Sequence, residues 1–308
     1  MIVLLFPGQG AQKVGMAADL AAAFPAARET LAEIDDGLGF PLARLMAEGP
    51  EAELQLTHNT QPAILAHSAA VMRVVAEKLG PVAAAAGHSL GEYSAYLAAG
   101  SLTATAAAKL VRRRGELMYE AGQLRPGAMS VVLGLGTAEV EAACTGASSG
   151  AEGVAVAANL NAPEQTVISG DPAAVARAAE LCQAAGAKRV LPLKVSGAFH
   201  SPLMAPAVSG LRTELAKVAF GEPRFPVIAN ASASPVASAA AAIRLLADQL
   251  TAPVRWVESM HAAAEFVPDA TFIELGPGAV LAGLLKRILP EARCLSLGTA
   301  AEVEKFLA

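Results

Sequence analysis

The chain has 308 residues, 54% of them hydrophobic and 17% charged, which is enough apolar material for a large core in one or two domains and argues against disorder. A formal net charge of −5 and the absence of any apolar run near the ~18 residues of a membrane span exclude nucleic acid and a bilayer as expected partners. Cys144, Cys182 and Cys294 are an odd, scattered set without metal-ligand spacing; they read as ordinary buried thiols in a reducing cytoplasm, the expected location.

Ile2 to Phe6 is a short buried strand. No basic segment precedes it and Pro7-Gly8 cuts it short, so it does not read as a signal peptide. Pro7-Gly8-Gln9-Gly10-Ala11-Gln12 is a loop of small residues that lets the backbone approach a ligand closely. It lacks the Gly-Lys-Ser/Thr ending of a phosphate loop. Two readings stay open for Gln9: a tight turn with a solvent-facing side chain, or a backbone N–H that serves an oxyanion hole. Residues 16 to 35 read as an Ala-rich helix closed by Asp35-Asp36-Gly37, with a short helical turn at 41 to 47. Thr57 to Pro62 reads as the cap of a helix over 62 to 79, with Gln61 either capping or lining a pocket, and His67 structural.

Gly87-His88-Ser89-Leu90-Gly91 follows the small apolar run Val82 to Ala86 and has the Gly-x-Ser-x-Gly pattern of a nucleophile elbow. At such a turn the serine hydroxyl is pushed out toward a substrate. The Leu90 N–H lies unpaired at the first turn of the following helix, 92 to 99, aimed at developing negative charge. A plain strand–loop–helix junction is the alternative. On the next helix, 104 to 121, Leu110, Val111, Leu117 and Met118 share one arc, and Arg114 falls in the middle of it. A guanidinium there is costly unless it pairs with a structural carboxylate, snorkels to the edge, or receives a carboxylate from a substrate.

Residues 127 to 194 change rhythm. Strands at 129–135, 154–159, 165–169 and 188–193 alternate with helices at 138–145, capped by Thr137, and 172–185, capped by Asp171. The bend 146–153 and the turn Asn161-Ala162-Pro163 complete a β-α-β-β-α-β order, the split ferredoxin-like unit. The fold class expected is α/β: an α/β-hydrolase-like core from 1–126 and 195–308, with a ferredoxin-like small subdomain inserted at 127–194. The core resumes at the loop Ser196 to Pro202. Then come a helix at 203–218, a strand at 225–230, a helix at 240–250 with Gln249 near its end, a strand at 271–275 feeding Gly276-Pro277-Gly278, a helix at 279–289 and a last strand at 295–297.

A nucleophilic serine needs a base. Of the five histidines, His200 alone lies in a glycine- and proline-bounded loop, which makes it the best candidate. The carboxylates between Ser89 and His200, Glu92 and Glu152 among them, fall on helices or in the inserted segment. With no strand-end acid, a Ser–His dyad held by backbone carbonyls is favoured over an ordinary hydrolase triad.

These residues carry a resemblance. Pro-Gly-Gln-Gly-Ala-Gln at 7–12, Thr-Gln-Pro-Ala at 60–63, Gly-His-Ser-Leu-Gly-Glu at 87–92, Arg114-Gly115, Asn161, Phe199-His200-Ser201-Pro202, Gln249 and Gly276-Pro277-Gly278 resemble the malonyl-CoA:acyl carrier protein transacylase family, in order and over essentially the whole chain. The resemblance implies Ser89 as nucleophile, His200 as general base and the backbone N–H groups of Gln9 and Leu90 as oxyanion hole. It implies that the Gln249 carbonyl orients His200 and that Arg114 clamps the malonyl carboxylate. A bulky Phe199 leaves little room for a 2-methyl group, and Gln61 and Asn161 join the substrate-binding set. The expected reaction is ping-pong transfer of malonyl from malonyl-CoA to the pantetheine thiol of acyl carrier protein. It needs no metal or cofactor, belongs to fatty-acid synthesis and is carried out by a monomer. A broad serine esterase or thioesterase, and a non-catalytic carrier-protein binding module, are the competing readings.

Overall fold

A strand buried on both faces reads as an unbroken apolar run, and Ile2–Phe6 is one. In the computed structural model, which describes residues 1–150 and 153–308, this strand (β1) lies inside a six-stranded sheet. The other strands are β2 (Val82–Gly87), β3 (Ala128–Leu133), β4 (Ala155–Ala162), β5 (Gln165–Gly170), β6 (Arg189–Pro192), β7 (Val227–Ile228), β8 (Pro235–Val236), β9 (Thr271–Leu275) and β10 (Arg293–Leu297). The large sheet has the order β10-β9-β1-β2-β7-β8 and is parallel except for the β7–β8 hairpin at one edge. Alternate residues of β1 enter opposite cores: Leu4 and Phe6 pack in one cluster with Ile34, Ile64 and Leu110, Val3 and Leu5 in another with Trp256, Met260 and Leu285. Helices therefore cover both faces, as a parallel sheet requires.

The second sheet is antiparallel, with the order β4-β5-β3-β6. Val132 and Ile168 on one face pack against helices Thr137–Ala147 and Pro172–Ala184. Met129, Val131 and Val167, of the opposite parity, line a cleft that faces the large sheet. β4 is tied back to the rest of the chain at Val254, whose N–H donates to the Ala158 carbonyl (2.8 Å) and whose carbonyl accepts from Leu160 N–H (2.9 Å). The chain order of the large sheet places the carboxyl ends of β1 and β2 side by side, so the loops at Pro7 and at Gly87 share one rim of the cleft.

Several local readings are corrected. The helix expected over 16–35 is two, Ala18–Ala23 and Pro25–Leu38, because Pro25 starts a new helix at its first position. Asp35-Asp36-Gly37 does not close it; Gly39, at φ 72°, does. Thr57 to Pro62 is not a cap but the first turns of the helix Thr57–Val75. Asn59 Nδ2 and Thr60 Oγ1 donate to the Glu53 and Leu54 carbonyls, which ties the start of this helix to the preceding turn Glu51–Leu54. Asn161 lies in β4 rather than in a turn. Gly136, not Thr137, precedes the first helix of the small sheet, and the Asp171 carboxylate pairs with Arg125 and accepts from Val154 N–H instead of capping. Residues 151 and 152 of the expected bend, with Glu152, lie outside the described residues. The strand expected over 225–230 is confined to β7; β8 and the helix Ala300–Leu307 add to the expected elements, and Cys294 is only half-buried. Among the described residues no helix is long and apolar enough to cross a membrane.

Candidate active site

The site is assembled at the turn after β2. Ser89 has φ 54°, a left-handed conformation that costs energy for a residue with a side chain. The flanking glycines permit the turn. A Cβ on Gly87 would lie 1.9 Å from the Gly91 carbonyl carbon, and one on Gly91 would lie 2.2 Å from the Phe6 carbonyl oxygen. Asn230, just past β7, locks the turn from the other side: its Oδ1 accepts the Ser89 N–H at 2.7 Å and its Nδ2 donates to the Gly87 carbonyl at 2.7 Å.

His200 stands in the loop before the short helical turn Pro202–Met204, also in the left-handed region at φ 56°. Its Nδ1 lies 3.0 Å from the Gln249 main-chain oxygen and its Nε2 lies 2.8 Å from Ser89 Oγ. A carbonyl only accepts, so Nδ1 carries the proton and Nε2 accepts from the serine hydroxyl. Burial, followed by the charge of Arg114, pushes the His200 pKa down to about 3, against the Gln249 carbonyl, which favours the charged ring. At neutral pH the ring is neutral and free to take a proton. Among the described residues no carboxylate touches His200.

The backbone N–H groups of Gln9 and Leu90 have no hydrogen-bond partner among the described residues, and both residues line the same cleft as Ser89 and His200. This cleft has a volume of about 320 Å³. A larger hollow, about 620 Å³, lies at the opposite ends of β9 and β10 against Asp269, Glu291 and Arg293, away from the serine.

Arg114, on the helix Ala104–Leu124, is 1% exposed. Nη1 donates to Gln61 Oε1 at 2.7 Å; Nη2 donates to Gln249 Oε1 at 2.8 Å and to Ser89 Oγ at 3.1 Å. Among the described residues Nε has no partner and no carboxylate forms an ion pair with the group. Burial pulls its pKa below the usual guanidinium range, opposed by Tyr93 and Glu92, but an arginine stays charged. Of the three readings open for this residue, snorkelling and a structural ion pair are thus absent from the geometry. The amides of Gln61 and Gln249 stand where a carboxylate partner would.

The structure brings Ser89, His200, Gln9, Leu90, Gln249, Arg114, Phe199 and Asn161 together at the cleft or directly behind it, with Gln61 buried behind Arg114. Asn161 Oδ1 is engaged by His88 Nε2 at 2.8 Å, which links the small sheet to the elbow. His67 is remote, bonded through Nε2 to the Gly298 carbonyl at 2.8 Å, and burial holds its pKa down at about 4. Two residues escaped the sequence reading. Asn230 had no signal beyond ending an expected strand. Glu92 is a fully buried carboxylate whose Oε2 accepts from Asn230 N–H at 2.9 Å and Gln249 Nε2 at 2.8 Å; burial pushes its pKa up to about 7. The sequence named it only as a carboxylate of the 87–92 motif, set aside as a partner for His200, and gave no sign of its bonds to Asn230 and Gln249.

A neutral imidazole on a strained serine, with free backbone donors beside it, is the equipment of enzymes that pass acyl groups through a serine ester. The chain belongs to the acyl transferase domain family, whose pattern matches residues 3–304. It is 43% identical over 305 residues to the malonyl CoA-acyl carrier protein transacylase of Salmonella typhimurium, with 98% of this chain and 97% of that one covered. Among solved structures, an acyl carrier protein S-malonyltransferase from Vibrio cholerae aligns with a TM-score of 0.93 at 41% identity, covering 99% of both chains. A malonyl-transacylase in complex with a type II polyketide acyl-carrier protein aligns with a TM-score of 0.94 at 44% identity, covering 99% of this chain and 98% of that one.

Proposed function

We propose that this protein transfers a malonyl group from malonyl-CoA to the pantetheine thiol of acyl carrier protein through a malonyl ester of Ser89. The observation that carries the choice of acyl group is Arg114, a buried cation with no carboxylate partner among the described residues, 3.1 Å from the Ser89 hydroxyl oxygen. As Ser89 Oγ attacks the thioester carbon, its proton passes to His200 Nε2. The carbonyl oxygen becomes an oxyanion held by the N–H groups of Gln9 and Leu90. Collapse breaks the carbon–sulfur bond; the proton returns from Nε2 to the leaving thiolate and CoA departs. The carrier thiol then repeats the sequence on the serine ester, its proton taken by His200 and returned to Ser89.

Three of the five guanidinium N–H groups of Arg114 are engaged by Gln61, Gln249 and Ser89 Oγ. Acylation turns Oγ into an ester oxygen, a poorer acceptor, and releases one of the three. The distal carboxylate takes that donor and an uncommitted one. Phe199 closes the space beside the acyl chain, and Asn161 lies on the approach from the small sheet. On this reading, 1–126 with 195–308 forms an α/β-hydrolase-like core and 127–194 a ferredoxin-like subdomain. The order β4-β5-β3-β6 with its two helices supports the latter. The enzyme works as a cytoplasmic monomer without a cofactor, in fatty-acid synthesis. Intact-mass measurement after mixing with malonyl-CoA alone tests the proposal. One malonyl mass is expected on the peptide containing Ser89, lost on adding carrier protein; labelling undiminished in Ser89→Ala overturns it.

A further inference from the structure

Gln249 is used twice, its main-chain oxygen by His200 and its side-chain oxygen by Arg114. The side-chain amide has two nearly isosteric ends, and its neighbours decide which points where. Arg114 only donates, so Oε1 must face it. The Ser89 carbonyl, 3.0 Å from Nε2, and Glu92 Oε2, 2.8 Å from Nε2, receive its two N–H groups. The same Glu92 oxygen receives the main-chain N–H of Asn230, the residue that holds Ser89 N–H. One buried oxygen thus stands behind the nucleophile's turn and the acyl-recognition arginine together.

Resting on the proposed malonyl transfer, we propose that Glu92 is a positioning residue for acyl selection, acting through the hydrogen bonds its Oε2 accepts from Gln249 and Asn230. Without it, two buried donors lose their acceptor. The nearest substitute for Gln249 Nε2 is Asn230 Oδ1, 3.5 Å away and already holding Ser89 N–H. Gln249 then shifts toward Asn230 and leaves Arg114 Nη2 unsupported, while the elbow loosens. The role lies in the acceptor's position and not in its charge. Among the described residues Oε1 has no partner, so it can carry a proton, or be replaced by an amide nitrogen, while Oε2 keeps both of its bonds.

This separates two conservative variants. Glu92→Gln retains an oxygen at the Oε2 position and loses the charge; Glu92→Asp retains the charge and withdraws the carboxylate by about one carbon–carbon bond, ~1.5 Å. The measurement is kcat/KM for malonyl-CoA and for acetyl-CoA in both variants, each also built on Arg114→Ala. Glu92→Asp is expected to lower the malonyl-to-acetyl ratio roughly 10- to 100-fold, the range for a buried donor left without its acceptor. Glu92→Gln is expected to keep the ratio within about 3-fold of wild type, and neither change is expected to move it further on Arg114→Ala, because the selection they support is gone. Equal losses on both substrates in Glu92→Asp, or a Glu92→Gln ratio as low as that of Glu92→Asp, overturns the proposal. If wild-type protein is not acylated by malonyl-CoA, the proposed function fails first, and the variants are not what refuted it.

Discussion

Replacing Arg114 by alanine tests acyl recognition most directly. In the free protein the guanidinium is already held by Gln61 Oε1, Gln249 Oε1 and Ser89 Oγ, so an acetyl group costs it only the last contact. A malonyl carboxylate supplies a charged partner to a guanidinium that is itself buried. Removing one side of such a buried pair costs about 3–5 kcal/mol, and at about 1.4 kcal/mol per decade this is a loss of kcat/KM for malonyl-CoA of roughly 10²-fold to a few thousand-fold. Acetyl-CoA, which never makes the pair, is expected to change by less than ~10-fold, through the two amide oxygens left without a donor. Lysine at the position rescues poorly, because a point charge cannot make the planar two-point contact. A second readout comes from His200. The Arg114 charge is one of the forces lowering its pKa, so the acid limb of the acylation profile moves to higher pH in Arg114→Ala. Stopped-flow or quench-flow acylation with both thioesters, across pH, supplies all of these numbers. Equal losses for malonyl and acetyl would refute the reasoning and make Arg114 a structural residue.

His200→Ala is expected to slow acylation roughly 10²- to 10⁴-fold. No single Asp or Glu substitution between 90 and 199 should match it by removing a triad acid, since Gln249 supplies a carbonyl to Nδ1. Because the wild-type ring titrates at about 3 in place of its ordinary 6.5, the rate of malonyl-enzyme formation should stay level between pH 7 and pH 5; an acid limb centred near 6.5 would contradict the burial argument. The same depression affects stability. Between about 6.5 and 3 the unfolded chain binds a proton at His200 that the folded chain does not, so stability is present above 6.5 and lost as pH falls. The slope approaches about 1.4 kcal/mol per pH unit. Urea denaturation from pH 7 to pH 4 should show His200→Ala less acid-sensitive than wild type by that slope, and parallel curves would count against it.

Short-range features were legible in the chain itself. Gly87 and Gly91 bracket a turn whose steric demands come from atoms within it and from the neighbouring strand, so five residues announce it. The helical wheel put Arg114 among Leu110, Val111 and Met118, and that face is buried, because 3.6 residues per turn is a local property. The alternation of Val131 and Val132 between cleft and helices follows from the strand period in the same way. Breaks in this reading also have local causes: Pro25 restarts a helix, and the Asn59 and Thr60 side chains dock the start of another on the turn before it. The partners of the polar groups were not legible. Ser89 meets Asn230 across 141 positions and Gln249 across 160, because β2 lies beside β7 and the chain after β8 returns beneath the elbow. Local sequence carries no record of which strand will be the neighbour. The Glu92–Gln249–Asn230 contacts therefore belong to the tertiary structure alone: a buried donor takes whatever acceptor packing brings within 3 Å, and packing is decided by the whole sheet.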